Sequence, residues 1–594
     1  MNNVINTRIE QLRELMRREK LSAFVFPSTD PHHSEYVCDH WKGREWISGF
    51  NGSAGTAVIT MTSAALWTDS RYFLAAAEQL KGTEYQLMKM KMPGTPSITQ
   101  WLAKELDGVQ SPEVGVDGMV SSNAFVENMI KELRESAGIT VRTNLDPLRL
   151  IWKDRPVIPL NKVELQPLEY AGEPTQSKLS RIRQALRENH ADGILVAALD
   201  DIAWTLNLRG TDVHCNPVFV AYLLISSDAA TLYINNVKLT PEVSAYLEEE
   251  HIAVDDYENV RQGLKDYFEY NIQLDPNEIN YTLFHTPTRE VVRAQSPIPE
   301  MKSHKNETEI RGFRNAMLKD GIAMVKFLKW LKPAVEAGGQ TEMSLDRKLT
   351  GLRSEQPLFR DISFDTIAGY QEHSAVVHYE ATPETDVPVS PEGLILIDSG
   401  AQYQDGTTDL TRTIALGPIT EEMKHIYTLV LKSHIQFELV KFPDGACGTQ
   451  LDAAGRECLW REGLNFLHGT GHGVGSYLNV HEGPHQIRME YYPTPLRSGM
   501  TVTDEPGIYL AGKFGVRIEN VLLIEPYLET EFGKFLQMTP LTLCPIDTTP
   551  IDRSLLSQVE IEWLNQYHSW VYRELAPHLS PDEQDWLKEA TRPI

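Results

Sequence analysis

The sequence predicts a mixed α/β protein in three parts, two similar domains in series and a larger third one. Three observations carry this reading. A helix-then-strand pattern occurs twice, about 170 residues apart; proline-rich segments separate the parts; and beyond residue 302 several apolar runs each deliver a carboxylate. With 594 residues the chain exceeds the roughly 100–200 residues that one core usually organises. Hydrophobic residues make up 41% and charged residues 23%, an ordinary globular composition that excludes a mainly disordered or fibrous chain.

The first element is a helix: Ile9, Leu12, Leu15 and Met16 make an apolar stripe that runs into the strand-like Ala23-Phe24-Val25-Phe26. Leu179, Ile182, Ala185 and Leu186 repeat that spacing ahead of Gly193-Ile194-Leu195-Val196, and the two copies then reach Asp30 and Asp200. A period of this length is a whole domain, too long for a solenoid repeat. The expected α/β domains cover residues 1–152 and 160–302, with Pro156, Pro159 and Pro167 marking the linker. Ser296-Pro297-Ile298-Pro299 marks the next boundary. There Asn306 is expected to N-cap a helix, Glu309 to complete a capping box, and Ile310, Phe313 and Met317 to form the buried face. Residues 303–594 form the third domain.

Charge narrows the function. The net charge of −26 disfavours nonspecific binding to nucleic acid or to an anionic membrane, so neither is expected as a partner. Even the longest acidic runs, such as Glu248-Glu249-Glu250, are short, which reads as a solvated acidic surface. No apolar stretch reaches the ~18 residues of a spanning helix, and the N-terminus, with Arg8, Glu10, Arg13 and Glu14, lacks the apolar core of a signal peptide. A cytoplasmic protein is expected. Five cysteines with no Cys-x-x-Cys pair support neither a disulfide framework nor a zinc ribbon, and are read as buried thiols.

The chemistry lies in the third domain. Leu394-Ile395-Leu396-Ile397 reads as a strand buried on both faces that ends in Asp398. Asp405-Gly406 is a hairpin signal, and Asp409-Leu410-Thr411-Arg412-Thr413-Ile414 alternates as the return strand. A turn centred on that dipeptide pairs Asp398 with Thr413. Asp409 then lies about 13 Å along the sheet at ~3.3 Å per residue, too far to share an ion, so an irregularity is expected here. Met500 to Glu505 and Val516 to Val521 read as two more strands, the second placing Arg517 and Glu519 on one face. Between the first pair of strands and this second pair runs His468-Gly469-Thr470-Gly471-His472-Gly473-Val474-Gly475, whose alternating glycines admit close approach of backbone and imidazole. Its spacing does not fit a dinucleotide loop. His481-Glu482-Gly483-Pro484-His485 matches the string of helical zinc proteases, but Gly483-Pro484 breaks the required helix. His378 ends a short apolar run and, taken alone, reads as a core histidine. Taken together, two Asp, two Glu and one His from strand ends supply oxygen donors and one imidazole, a set that suits two divalent ions such as manganese. Without metal, four such carboxylates repel one another.

At these residues the sequence resembles the aminopeptidase P (Xaa-Pro aminopeptidase) family of metallopeptidases. The resemblance rests on Ile397-Asp398-Ser399-Gly400-Ala401, Asp405 to Thr413, the His468 segment continuing to Pro484, Thr503-Asp504-Glu505-Pro506-Gly507 and Arg517-Ile518-Glu519-Asn520. It implies two creatinase-like α/β domains followed by a pita-bread catalytic domain with a C-terminal extension, in the long cytosolic form. It implies metal ligands Asp398, Asp409, His472, Glu505 and Glu519 for two ions, with Asp409 and Glu519 bridging. It further implies an attacking water shared between the ions, with Glu505 as the proton shuttle. His378 and His481 correspond to family histidines that hold the substrate and stabilise the oxyanion, and His468 to a neighbouring one. Arg517 is expected to orient Glu519. Trp67-Thr68-Asp69-Ser70-Arg71-Tyr72 also matches, with Arg71 as a substrate contact. The implied substrate is a peptide with a free N-terminus and proline second, and the implied assembly is a homodimer. Leu459 and Trp460 are read as core. The rival readings are a prolidase confined to dipeptides and a non-catalytic binding protein; retention of all five ligands disfavours the second.

Overall fold

A computed structural model describes residues 2–594. It contains two compact units: one takes the chain up to Gln166 and again over Glu173–Ile298, the other Pro167–Gly172 and Pro299–Ile594.

In the first unit the repeat seen in the sequence is a repeat of topology. The opening helix, Asn2–Glu19, buries Ile9, Leu12, Leu15 and Met16. Six strands follow: β1 (Ala23–Pro27), β2 (Thr56–Thr60), β3 (Ala64–Thr68), β4 (Tyr85–Lys89), β5 (Glu113–Val116) and β6 (Thr140–Arg142), in the order β4-β3-β2-β1-β5-β6. The helix Thr175–Glu188 opens the second copy, with β7 (Ile194–Val196), β8 (Tyr222–Ile225), β9 (Ala230–Tyr233), β10 (Ala253–Asp255), β11 (Asn271–Leu274) and β12 (Glu290–Arg293) ordered β10-β9-β8-β7-β11-β12. Parallel and antiparallel neighbours match one for one. β1 and β7 each pair antiparallel with the next strand of their sheet and parallel with the fifth. These central strands are apolar throughout because helices cover both faces of such a sheet.

The second unit opens as expected. Asn306 Oδ1 accepts from the Thr308 and Glu309 amides at 2.9 and 3.0 Å, and Glu309 Oε2 accepts from the Asn306 amide at 2.9 Å, so the capping box is complete. The helix it starts, Glu307–Ala337, buries Phe313 and Met317. Apolar residues of the strands Leu394–Ser399 and Leu410–Ala415 pack under this helix. The remaining strands divide into small antiparallel sheets, including Ile367–Tyr370 with Leu394–Ser399 and Leu410–Ala415, and Thr501–Asp504 with Asn520–Thr530 and Gly533–Pro540.

Three local expectations are corrected. The hairpin turns at Gln404-Asp405, since Tyr403 pairs with Gly406, so Asp398 faces Thr411 and not Thr413. The irregularity is real: Ala401–Tyr403 and Gly406–Thr407 leave the main sheet and pair with each other, and Ala401–Tyr403 pairs on its other side with the strand Phe359–Ile362. Gly400 permits this crossing, because a Cβ there would run into the Thr408 carbonyl and Ser363 Oγ. The predicted strand over 516–521 is two strands, Phe514–Arg517 and Asn520–Thr530, broken at Ile518-Glu519. Trp460 is 41% exposed, its indole N–H spent on Asn465, while only Leu459 is core. The five cysteines are free and buried, as read.

Candidate metal centre

The acidic residues gather where paired strands open. Ser399 and Leu410 form the last pair of one ladder, with Asp398 just inside it and Asp409 just beyond. Asp504 and Asn520 form the last pair of another, and Glu505 and Glu519 follow on either side. Asp409 lies two residues from the partner of Asp398, about 7 Å of strand and half the expected separation. Sheet register thus delivers four carboxylates to one place, and opening the ladders frees backbone that would otherwise hold them apart.

His472 arrives on the short strand Gly471–Gly473. Its Nδ1 lies 2.8 Å from the Gly473 carbonyl, an acceptor only, so the ring proton sits on Nδ1 and the Nε2 lone pair faces inward. Nε2 is 3.5 Å from both Asp409 Oδ2 and Glu505 Oε1. Ligating atoms of Asp409, His472 and Glu519 lie within 4.8 Å of one another. Gly473 is glycine for a local reason, since a Cβ would stand 2.7 Å from the His485 ring.

The surroundings fix each donor. Thr411 Oγ1 donates to Glu519 Oε2 at 2.7 Å, and the Glu519 amide donates to the Thr411 carbonyl at 3.1 Å. Arg412, fully buried, donates to the carbonyls of Glu519, Thr411, Cys544 and Pro545, to Asn520 Oδ1 and to Tyr567 Oη. The Glu505 amide is held by the Thr470 carbonyl at 2.8 Å. Arg517 bears on Glu519 only through Thr411: its guanidinium goes to Asp398 at 2.6 Å and to Tyr509 Oη at 2.7 Å, and its Nε donates at 3.2 Å to Thr411 Oγ1, the hydroxyl that holds Glu519. The chain break after Arg517 lets the two side chains diverge. His468 joins the same chain, with Nδ1 on the Gly469 carbonyl and Nε2 2.9 Å from Tyr509 Oη.

Burial, then the neighbouring charges of Asp398 and Glu505, push the Asp409 carboxyl well above its usual range; burial, then Asp409 and Asp398, do the same to Glu519. Asp398 Oδ1 is buried with no hydrogen-bond partner among the described residues. An orphaned carboxylate oxygen, crowded like charges and an imidazole lone pair turned inward fit a pair of hard divalent cations, which would satisfy all three at once.

The other expected residues are placed as follows. His481 stands edge-on to His472, ring centroids 4.4 Å apart, directly before the strand Glu482–Ile487. That strand disposes of the zinc-protease helix. Glu482 pairs instead with the buried Lys305, and His485 is buried on the Thr501 carbonyl at 2.7 Å. His378 lies in the loop after the short turn Gln371–Ala375. Arg71 belongs to the first unit, where Asp69 takes its guanidinium at 2.9 and 2.8 Å and Glu35 approaches to 3.6 Å.

Sequence reasoning missed what lies behind Glu505. Asp504 turns to the opposite side, its Oδ2 2.9 Å from His434 Nδ1, while His434 Nε2 is 3.3 Å from Glu438 Oε1. All three are fully buried, and burial pushes His434 down to about 4 and Glu438 up to about 7. Strand alternation next to a ligand candidate was the available signal for Asp504. His434 and Glu438 lie on the distant helix Glu421–Glu438, which offered none.

Family models match the chain along most of its length. The creatinase/prolidase N-terminal domain matches residues 8–151 and again 154–309, metallopeptidase family M24 matches 311–526, and the C-terminal region of M24 peptidases matches 534–594. A probable Xaa-Pro aminopeptidase P of Aspergillus niger is 38% identical over 608 residues, 99% of this chain and 98% of that protein. Xaa-Pro aminopeptidase 1 of Dictyostelium discoideum is 37% identical over 99% of this chain and 97% of its own. The crystal structure of X-prolyl aminopeptidase from Caenorhabditis elegans, a cytosolic enzyme with a di-nuclear active site, has a TM-score of 0.94 at 34% identity, covering 99% of this chain and 100% of that one. The prolidase of Pyrococcus horikoshii reaches a TM-score of 0.50 at 26% identity, covering only 62% of this chain. With its buried carboxylate–imidazole centre and full-length likeness to these enzymes, the chain belongs to the Xaa-Pro aminopeptidase family of M24 metallopeptidases.

Proposed function

We propose that the protein is a metal-dependent aminopeptidase that releases the first residue from peptides with proline in second position. The observation that carries this is the convergence of Asp398, Asp409, His472, Glu505 and Glu519 at two strand openings, in a chain whose relatives of matching length bear that activity in their names. In our reading Asp398, Asp409 and Glu519 would hold one ion, and Asp409, His472, Glu505 and Glu519 would hold the other. When bound, two divalent ions, manganese in this reading, supply Lewis acidity that lowers the pKa of water and polarises a carbonyl.

The chain's own residues do the rest. Glu505, with its side chain 19% exposed, takes the proton of the attacking water and passes it to the proline nitrogen as the bond breaks. His481 and His378 donate to the carbonyl oxygen as it gains charge. The ring nitrogens of His468 are engaged within the protein, as are Arg517 donors toward Asp398 and Tyr509, which supports bracing of Asp398 in preference to substrate contact. The role of Arg71 in substrate binding carries over from the sequence resemblance alone, as does a homodimer. A cytoplasmic location is supported by the cytosolic C. elegans relative. No helix among the described residues is long and apolar enough to cross a membrane.

Proline selection has a physical basis. Its tertiary amide brings no N–H to be satisfied, and its ring is fixed. The deciding experiment offers manganese-loaded protein an Xaa-Pro-Xaa tripeptide, its N-acetylated form, an Xaa-Ala-Xaa control and an Xaa-Pro dipeptide, with products read by mass spectrometry. Cleavage after the first residue of the free tripeptide, with the acetylated and alanine peptides inert or slow, is the expected result. Equal cleavage of the alanine peptide would indicate a broad aminopeptidase, and cleavage confined to the dipeptide a prolidase.

A further inference from the structure

The histidine assigned above to the substrate carbonyl, His378, sits on a segment without regular structure, yet its two neighbours are both tied down. Val377 offers its carbonyl to Arg517 Nη2 at 3.3 Å, the guanidinium that also holds Asp398. On the other side, Tyr379 donates its hydroxyl to Glu342 Oε2 at 2.7 Å. Glu342 lies in the first turn of the helix Glu342–Ser354, and none of it is exposed. The same carboxylate accepts the Tyr370 amide at 2.8 Å and faces His373 Nδ1 at 2.9 and 3.0 Å. One buried side chain therefore gathers three points of the stretch from 370 to 379. The His373 and Tyr379 rings also meet, tilted by 36° with centroids 4.5 Å apart, and the Ser374 hydroxyl accepts the Gly515 amide at 2.7 Å, two residues before Arg517.

Burying a carboxylate is costly unless donors surround it, and a loop that merely connects two elements does not require one. Here the donors come almost wholly from the segment that bears His378. We propose that Glu342 is a positioning residue for the reaction: through Tyr379, Tyr370 and His373 it fixes where His378 stands relative to the centre at Asp398. A loop fixed in this way loses no entropy when the carbonyl oxygen gains charge, and displacement by about 1 Å can cost a hundredfold in rate. Glu342 touches neither metal ligands nor substrate in this assignment. The inference rests on the reading of His378 given above.

The test uses the full chain loaded with manganese and five variants: Glu342→Ala, Glu342→Gln, Tyr379→Phe, His378→Ala and the Glu342→Ala/His378→Ala double. The readouts are kcat and KM on an Xaa-Pro-Xaa tripeptide, bound manganese per chain, and melting temperature. Glu342→Ala is expected to lower kcat tenfold or more with bound manganese unchanged. Glu342→Gln, which keeps one acceptor oxygen, recovers part of that loss. Tyr379→Phe removes a single hydroxyl and should fold even if Glu342→Ala does not; it is expected to lower kcat several-fold. In the His378→Ala background, adding Glu342→Ala should cost less than twofold, because the group being positioned is already gone. An equal loss in both backgrounds would make Glu342 merely structural and overturn the proposal, as would parental kcat in Tyr379→Phe and Glu342→Gln together. Parental kcat in His378→Ala alone would instead sink the reading of His378, and the inference with it.

Discussion

Arg517 Nη2 sits 2.6 Å from Asp398 Oδ2, so a fully buried guanidinium holds one oxygen of this carboxylate while the other, Oδ1, has no hydrogen-bond partner among the described residues. The arrangement orients the proposed ligand Asp398 and leaves its Oδ1 for a cation. Arg517→Met should therefore lower metal affinity and kcat/KM together by about 10- to 100-fold, as loss of a ligand's supporting partner does. A metal titration of the purified variant checks this; unchanged affinity with unchanged turnover would contradict the bracing role.

Removal of metal should abolish hydrolysis, and manganese should restore it, because Asp409 and Glu519 are crowded like charges in a buried site. Binding to the folded state alone also raises stability, by about 2.7 kcal/mol at a hundred times the Kd. Melting curves with and without manganese test the second statement independently of activity. Full turnover in a sample verified as metal-free would refute the mechanism.

His472 and His481 should separate cleanly although their rings are 4.4 Å apart. His472→Ala is expected to lose bound metal and activity together. His481→Ala is expected to keep its metal while turnover falls on the order of a hundredfold, as with loss of an oxyanion donor. Elemental analysis of the two proteins distinguishes the roles, and an emptied site in His481→Ala would make that residue a ligand.

The acid limb of stability should owe part of its slope to His485. Burial pushes this imidazole down to about 4, and its Nε2–H is donated to the Thr501 carbonyl. The unfolded chain, with the ordinary value of about 6.5, takes up a proton that the folded chain refuses. The contribution is thus present in full above pH 6.5 and lost as pH falls toward 4, amounting to roughly 3 kcal/mol. Urea unfolding of the parent and His485→Gln across this range, both with saturating manganese, should show a shallower decline in the variant. Parallel curves would assign the slope elsewhere.

Arg412 should matter for stability more than for chemistry. Its guanidinium satisfies four carbonyls, the Asn520 amide oxygen and the Tyr567 hydroxyl, all buried. Arg412→Met strips donors from these groups without opening a large cavity, and is expected to cost about 3 kcal/mol or more in chemical unfolding. A cost below about 1 kcal/mol would show that water replaces the guanidinium there.

The identities of the ligand candidates and the repeat were legible in the chain because each rests on local chemistry. The stripe of Ile9, Leu12, Leu15 and Met16 buries one helix face wherever that helix goes, and the box of Asn306 and Glu309 closes with groups three residues apart. The rejection of a helix at His481 to His485 was equally local, since proline removes a donor and clashes with the preceding turn. Asp398, Asp409, His472, Glu505 and Glu519 stood out as residue types at the ends of apolar runs, without any knowledge of which would meet. Their meeting was decided by register. The two-residue shift at Gln404-Asp405 and the break at Ile518-Glu519 depend on a third strand, Phe359–Ile362, pairing with the hairpin and on Arg412 and Thr411 tying distant segments together. Such long-range pairings leave no periodic trace in either partner. That is why the sequence by itself determined which residues are the ligand candidates, while only the tertiary structure decided that Arg517 serves Asp398, that Thr411 serves Glu519, and that a glutamate at position 342 holds the loop of His378.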